Sequence, residues 1–257
     1  MAGLDPWRVQ RLPASVLGYH NLRDVVMRSL NLVGGEKGGV GKSVVSRLLA
    51  QYFIDTGRAF IGFDTDRSHT SFARHYPAHA SPVIVDSYEG LDGIVETLVS
   101  GADTSAIVDL AAQTLAPVSQ WMTDSDVLGL MLDVGIAVNV WHVSDGGQES
   151  VELLAELTRR YRDRPSYVVV RNTGRGHDFS HLDTSSGLAD AQRFGADVIT
   201  VPHLHEACMR KVDRAGVSFG EALLTELPGG PVLGLLERQR LKTWLRQSFA
   251  EFVRLAV

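Results

Sequence analysis

The stretch Glu36-Lys37-Gly38-Gly39-Val40-Gly41-Lys42-Ser43 carries the most legible chemistry in this chain. It follows a short apolar run opening near Ser29 and precedes Val44, Leu48 and Tyr52, which are spaced as on one helix face. Strand, glycine-rich loop and helix therefore stand in the order that a phosphate cradle needs. Glycines let backbone N–H groups come close to phosphate oxygens, and the helix adds its N-terminal N–H groups and positive dipole end. In such a loop Gly38, Gly39, Val40, Gly41 and Val44 surround the anion. Lys42 neutralises β- and γ-phosphates, and the Ser43 hydroxyl is offered to Mg²⁺. The expected ligands are ATP or ADP with Mg²⁺; no Asn-Lys-x-Asp base motif of the GTPase kind is present. The usual loop begins with glycine five positions before Gly41, where this chain has Glu36, and a second lysine, Lys37, follows it.

The string Lys-Gly-Gly-Val-Gly-Lys-Ser at 37–43 resembles the deviant Walker A motif of the ParA/MinD superfamily of ATPases, whose members vary at the position of Glu36. The resemblance runs over about residues 28–225 and is strongest at 31–66. It implies that Lys37 reaches across a homodimer to the partner's nucleotide, giving a catalytic set of Lys37, Lys42 and Asp66. Asp66, in Phe63-Asp64-Thr65-Asp66, matches the family's acidic residue that positions the attacking water near Mg²⁺. Asp109, closing Ala106-Ile107-Val108-Asp109, matches the second acidic strand end, bound to Mg²⁺ through water, so the implied metal set is Ser43, Asp66 and Asp109. Asn172 matches an adenine contact, and Pro202 matches the proline that flanks the base. Two departures weaken the pattern: Arg67-Ser68 replaces the family's frequent Pro-Gln, and Ala111-Ala112 stands where prolines often follow. Asp64 and Asp66 read equally as turn and cap residues, and so does Asn172.

Around these residues the chain alternates short apolar runs with helix-length segments, the pattern of a βαβ fold. Strands are expected at 29–33, 59–63, 82–85, 106–109, 136–143, 167–171 and 198–201. The continuous apolar run Tyr167-Val168-Val169-Val170 suits a strand buried on both faces. Helices are expected at 43–55, 149–161 and 235–255. The fold class is thus α/β, a three-layer α/β/α P-loop domain with a mostly parallel sheet. Residues 1–26 read as an N-terminal appendage, and 27–257 as one domain ending in an amphipathic helix.

At 257 residues the chain can bury a large core, and its single cysteine, Cys208, excludes an intramolecular disulfide. A formal net charge of -5 excludes a basic field over the whole surface. With no long apolar run and no secretory leader pattern, the default location is the cytoplasm. The His203/His205 and His177/His181 pairs lack the carboxylate or thiolate company of a metal site. The C-terminal segment with Arg238, Arg240, Lys242 and Arg246 reads first as a packed helix held by Leu241, Leu245, Phe249 and Phe252. DNA, and with less support a membrane, stays open as a working surface, as does a partner protein that stimulates hydrolysis. The family implies a switch that positions, partitions or transfers a cargo such as a plasmid or protein complex; the chain looks like ParA-like proteins encoded beside plasmid stability or mobilisation functions. A metabolic enzyme of the same fold, an amidoligase or small-molecule kinase, and a nucleotide-binding scaffold with little turnover are the alternatives.

Overall fold

The computed structural model describes residues 28–35, 38–101, 103–112 and 114–255. The expected appendage 1–26, Glu36 and Lys37 lie outside the described residues. Strands β1 (Ser29–Gly34), β2 (Phe60–Asp64), β3 (Ala80–Pro82), β4 (Ser105–Asp109), β5 (Ala137–Ser144), β6 (Ser166–Asn172) and β7 (Asp197–Val201) form a seven-stranded sheet in the order β3-β2-β4-β1-β5-β6-β7. Every strand pair in it is parallel. All seven expected strands are present, and the "mostly parallel" expectation resolves to a wholly parallel sheet. Parallel neighbours need crossovers, and the intervening helices supply them. These are α1 (Lys42–Thr56), α2 (Ser71–His75), α3 (Tyr88–Ser100), α4 (Leu115–Asp124), α5 (Val127–Asp133), α6 (Gln148–Tyr161), α7 (Ser180–Asp183), α8 (Ser186–Arg193), α9 (Glu206–Ala215) and α10 (Leu235–Arg254).

One strand shifts. The edge strand expected at 82–85 lies at Ala80–Pro82. The turn at Tyr76–Ala80 brings Gly62 N–H onto the His79 carbonyl at 2.7 Å, which sets the register Gly62↔Ala80 and ends the ladder at Asp64↔Pro82. Val85 is buried all the same, so the apolar signal there reported burial and not pairing.

The sheet separates two apolar layers, because successive side chains on a strand point to opposite faces. On one face Val33, Ile107, Trp141, Val143 and Val170 pack under α1, α2, α9 and α10. On the other, Leu30, Leu32, Val108, Val138 and Val140 pack under α3, α4, α5 and α6. Within the first layer Asn31 is fully buried in the central strand. Its Oδ1 accepts from Asn139 Nδ2 (3.0 Å) and Trp141 Nε1 (3.1 Å), and its Nδ2 donates to Ser29 Oγ and the Ala106 carbonyl. A central strand thus tolerates a carboxamide because all its polar capacity is met.

The C-terminal helix α10 is the packed helix expected from its pattern: Leu241, Trp244, Leu245, Phe249 and Phe252 are all buried. Phe249 and Phe252 meet Tyr52 of α1 edge-on, with centroids at 5.3 and 5.6 Å. Burying each such side chain contributes about 1.5–3 kcal/mol. At the end of α6, Arg160 pairs with Glu156, and beyond it Arg164 pairs with Asp126, both on the surface. No described helix is long and apolar enough to cross a membrane.

Near the end of α1, Asp55 accepts a 2.8 Å hydrogen bond from Gln51 Nε2, while its Oδ2 is buried without a partner. Burial pushes its carboxyl up from the ordinary value to about 6. A carboxyl raised in the folded state contributes stability at low pH that is lost as pH rises through about 6. Asp55→Asn removes that loss: relative to wild type, urea unfolding should show a gain of about 1–2 kcal/mol at pH 8 that shrinks to nothing or reverses near pH 4.5.

Candidate functional site

Beyond Gly34 the chain leaves β1 and turns through Gly35 and Gly38–Gly41 into α1. Gly39 and Gly41 sit at φ +90° and +100°, backbone that L side chains rarely adopt. Gly41 caps α1 with its carbonyl, which accepts from Val44 N–H (3.0 Å) and Val45 N–H (3.1 Å). The helix start has no side-chain cap and no acidic residue in its first turn. Its first N–H groups are therefore left for an anion. Val40 is buried beneath the loop, Lys42 is buried at the helix start, and Ser43 and Val44 are half-buried.

The loop is held by close backbone approach. A Cβ on Gly35 would stand 2.8 Å from the Val143 carbonyl oxygen of β5, and one on Gly41 would stand 2.1 Å from Asn172 Nδ2. Asn172, expected to read an adenine edge, has its carboxamide engaged inside the protein. Nδ2 donates to the Val40 carbonyl at 2.7 Å, and Oδ1 accepts from Gly174 N–H at 3.1 Å. It is a strut between β6 and the loop, combined with the turn-cap reading. Pro202 follows β7, and its carbonyl accepts from Trp244 Nε1 of α10 at 2.6 Å.

Two buried carboxylates flank the loop. Asp64 and Asp109 end neighbouring strands and are in register. Asp109 Oδ1 accepts from Ser46 Oγ at 3.0 Å, and the Ser43 hydroxyl hydrogen-bonds the same carboxylate. Asp109 Oδ2 is buried without a partner. Burial pushes this carboxyl up to about 7, against the pull of the Ser43 hydrogen bond, and the Asp64 charge raises it further. Asp64 is also raised, first by burial, though its oxygens accept N–H groups from Asp66, Phe72 and Ala73 at 2.8–3.0 Å. It thereby caps α2. Thr65 ties the two strand ends: its N–H and hydroxyl both donate to the Asp109 carbonyl at 3.0 Å.

Of the expected site residues, the structure brings Ser43, Lys42 and Asp109 together. Asp66 sits at the same edge, with its side chain 32% exposed and Oδ1 accepting N–H groups from Ser68 and His69 of its own turn. The carboxylate buried beside Asp109 is Asp64. The sequence showed that pair only as Asp-x-Asp; what distinguishes them is that β2 ends at Asp64, which α2 covers, while Asp66 falls in the turn beyond the strand. Ser46 is the other contact missed, and its spacing of four from Lys42 on a helix was the available signal. Lys37 lies outside the described residues. Among the described residues no group of three or more His, Cys, Asp or Glu side chains could hold a metal, and the four histidines of the two pairs are exposed.

No protein-family model matches the chain. It is 27% identical over 252 residues to Protein TraL of Escherichia coli, covering 90% of this chain and all of that one. It is 25% identical over 227 residues to Protein MobD of Acidithiobacillus ferrooxidans, covering 86% of this chain and 95% of that one. Among solved structures, a ParA family ATPase from Chlorobium tepidum superposes with a TM-score of 0.47 at 11% identity, over 86% of this chain and 97% of that one. The loop sequence, its place between β1 and α1 and the wholly parallel sheet are those of an α/β P-loop fold.

Gly41→Ala should cost about 1–3 kcal/mol in denaturant unfolding, from the positive φ and the collision with Asn172. Adding Asn172→Ala relieves the collision but leaves the backbone strain and removes the Val40 hydrogen bond, so the double variant should recover at most the steric part, which a double-mutant cycle measures directly.

Proposed function

We propose that this chain is a Mg²⁺-dependent ATP-binding and hydrolysing switch of ParA/MinD type. Its homodimer forms across bound nucleotide and acts in positioning, partitioning or transfer of a cargo such as plasmid DNA or a protein complex. The observation that carries this reading is the uncapped α1 N-terminus behind a glycine loop, with Lys42, Ser43 and the buried Asp109 gathered at its first turn. Such an end takes an anion, and the carboxylate pair beside it takes a cation.

The residues present fit Mg²⁺. Asp109 Oδ2 is an unpartnered buried carboxylate oxygen, and two neighbouring carboxylates repel until a cation balances them. Ser43 and Asp109 would hold the ion, Asp109 through water, and Asp66 is assigned to the same set. Bound Mg²⁺ supplies neutralisation of the phosphate charge. Lys42 binds the terminal phosphates, and the α1 N–H groups orient them. Asp66, at the open edge of the site, orients the attacking water, and Lys37 completes the partner's site. Closure with ATP and reopening after hydrolysis give the switch, which a partner protein accelerates. The cargo part of this reading comes from the ParA/MinD resemblance, and the near full-length likeness to TraL and MobD supports a shared architecture.

The reading is tested by sedimentation of wild type, Lys37→Ala and Asp66→Ala with Mg²⁺–ATP or Mg²⁺–ADP, with phosphate release followed in parallel. Wild type should dimerise with ATP, Lys37→Ala should lose turnover, and Asp66→Ala should stay dimeric without releasing phosphate. Monomers under every condition would overturn the sandwich dimer and turn attention to a metabolic enzyme of the same fold. The raised Asp109 carboxyl sets a pH dependence as well. Cation binding needs its ionised form, so it releases a proton near pH 7. Mg²⁺-dependent nucleotide affinity should rise about tenfold from pH 6 to pH 8, and Asp109→Asn should flatten that slope. Calorimetry in two buffers of different ionisation enthalpy reads the released proton.

A further inference from the structure

Away from the phosphate loop, α1 carries a second buried charge. Arg47, one turn beyond Ser43, is 2% exposed, and its guanidinium lies 4.5 Å over the Phe219 ring. Its Nη1 donates to Asp213 Oδ1 of α9 at 2.8 Å, while its Nε and Nη2 are buried with no hydrogen-bond partner among the described residues. A buried guanidinium held by one carboxylate depends on that carboxylate, because removing either partner leaves an uncompensated charge.

Asp213 touches α2 as well. His75, the last residue of α2, is fully buried with Nε2 3.6 Å from Asp213 Oδ1, and its Nδ1 lies 2.6 Å from the Ser71 carbonyl at the helix start. Arg74 of α2 donates from Nη2 to the Asp213 backbone carbonyl at 3.4 Å. Burial and then the Arg47 charge push His75 down to about 4, so it is neutral at pH 7 and Asp213 balances Arg47 without competition from it. At its other end α2 is capped by Asp64, the neighbour of Asp109. One short helix is therefore pinned at its start by the strand end that lines the candidate site, and at its end by a residue of α9 that also neutralises the phosphate-loop helix.

We propose that Asp213 is a positioning residue. By holding Arg47 of α1 and the C-terminal end of α2 together, it keeps the Asp64–Asp66 segment in register with the phosphate loop. As a statement about hydrolysis this rests on the ATPase reading above; as a statement about α2 it does not. A helix of five residues is too short to persist in isolation, so its order comes from tertiary contact: Phe72 and Ala73 bury it against the core, and these two polar attachments fix its ends. Asp213 contacts neither the loop nor the carboxylate pair, which separates its effect from ligand binding.

The test is amide hydrogen exchange on nucleotide-free wild type, Asp213→Asn and Asp213→Glu, comparing α2 with β1, alongside ATP affinity and phosphate release. Asp213→Asn should speed α2 exchange about tenfold or more while β1 exchange stays within about twofold, and Asp213→Glu should restore most of the protection. ATP affinity should stay within about threefold while the turnover number falls about tenfold or more. If Asp213→Asn does not fold, Arg47→Met/Asp213→Asn, which leaves no lone buried charge, should show the same α2 signature. Unchanged α2 exchange, or α2 and β1 rising together, overturns the proposal. Wild type that releases no phosphate while α2 responds as expected removes the ATPase reading and leaves the positioning role standing.

Discussion

The carboxylate of Asp109 is the point on which the site's geometry turns. It stands at the end of a central strand and takes hydrogen bonds from two serines on the first turns of α1. That fixes the azimuth of the helix whose N-terminus faces the phosphate loop. Its second oxygen has no partner within the described chain, and the neighbouring strand ends in another buried carboxylate. Burying two acids side by side is unfavourable unless something cationic balances them, and raised carboxyls are how the unliganded protein accommodates the cost. The arrangement is therefore one that a divalent ion and a polyphosphate relieve together.

The same edge of the sheet is rigid for a steric reason. Three neighbouring strand ends of the sheet, β1, β5 and β6, approach each other more closely than any side chain permits. Gly35 lies against the Val143 carbonyl, Gly176 against the Asp145 backbone, and Gly146 against the Asp178 carbonyl. The loop after β1 thus seats on β5, and the loops after β5 and β6 interlock through glycines. Asn172 adds a hydrogen bond from β6 to the loop carbonyl. These contacts pre-organise the described glycines Gly35 and Gly41 by close approach.

Further from the site, the two helical layers do different things. The layer of α3 to α6 packs by apolar contact with peripheral ties such as Trp121 Nε1 to Asp92 and Tyr88 to Asp124. The layer of α1, α2, α9 and α10 adds polar ties: Gln51 Oε1 accepts from Tyr76 and from Gly220 N–H, and Asp213 joins three helices. Polar contacts are directional where apolar ones are not, so this layer can specify the position of α2 beside the site as well as its burial.

Much of this was legible from the chain alone. Strands buried on both faces print as apolar runs, so the six longer strands were placed closely; the exposed edge strand β3 carries no such run and was placed late, at 82–85 instead of Ala80–Pro82. The glycines, Lys42 and Ser43 are contiguous, so their chemistry could be read without a fold. Helix α10 was recognisable because Leu241, Leu245, Phe249 and Phe252 recur at helical spacing. What tertiary structure alone decided is which distant residues meet. The resemblance picked out Asp66 of Asp64-Thr65-Asp66; the end of β2 at Asp64 and its pairing with β4 set Asp64 beside Asp109 and left Asp66 in the turn that follows. That the Asn172 carboxamide donates to the Val40 carbonyl of the loop follows from the close passage of β6 under Gly41, which no local pattern shows. Arg47 and Asp213 are 166 residues apart, and nothing local to either predicts their meeting. Periodicity and contiguous motifs are properties of neighbours in sequence, whereas charge pairing and register are properties of neighbours in space, and only the strand order makes those neighbours.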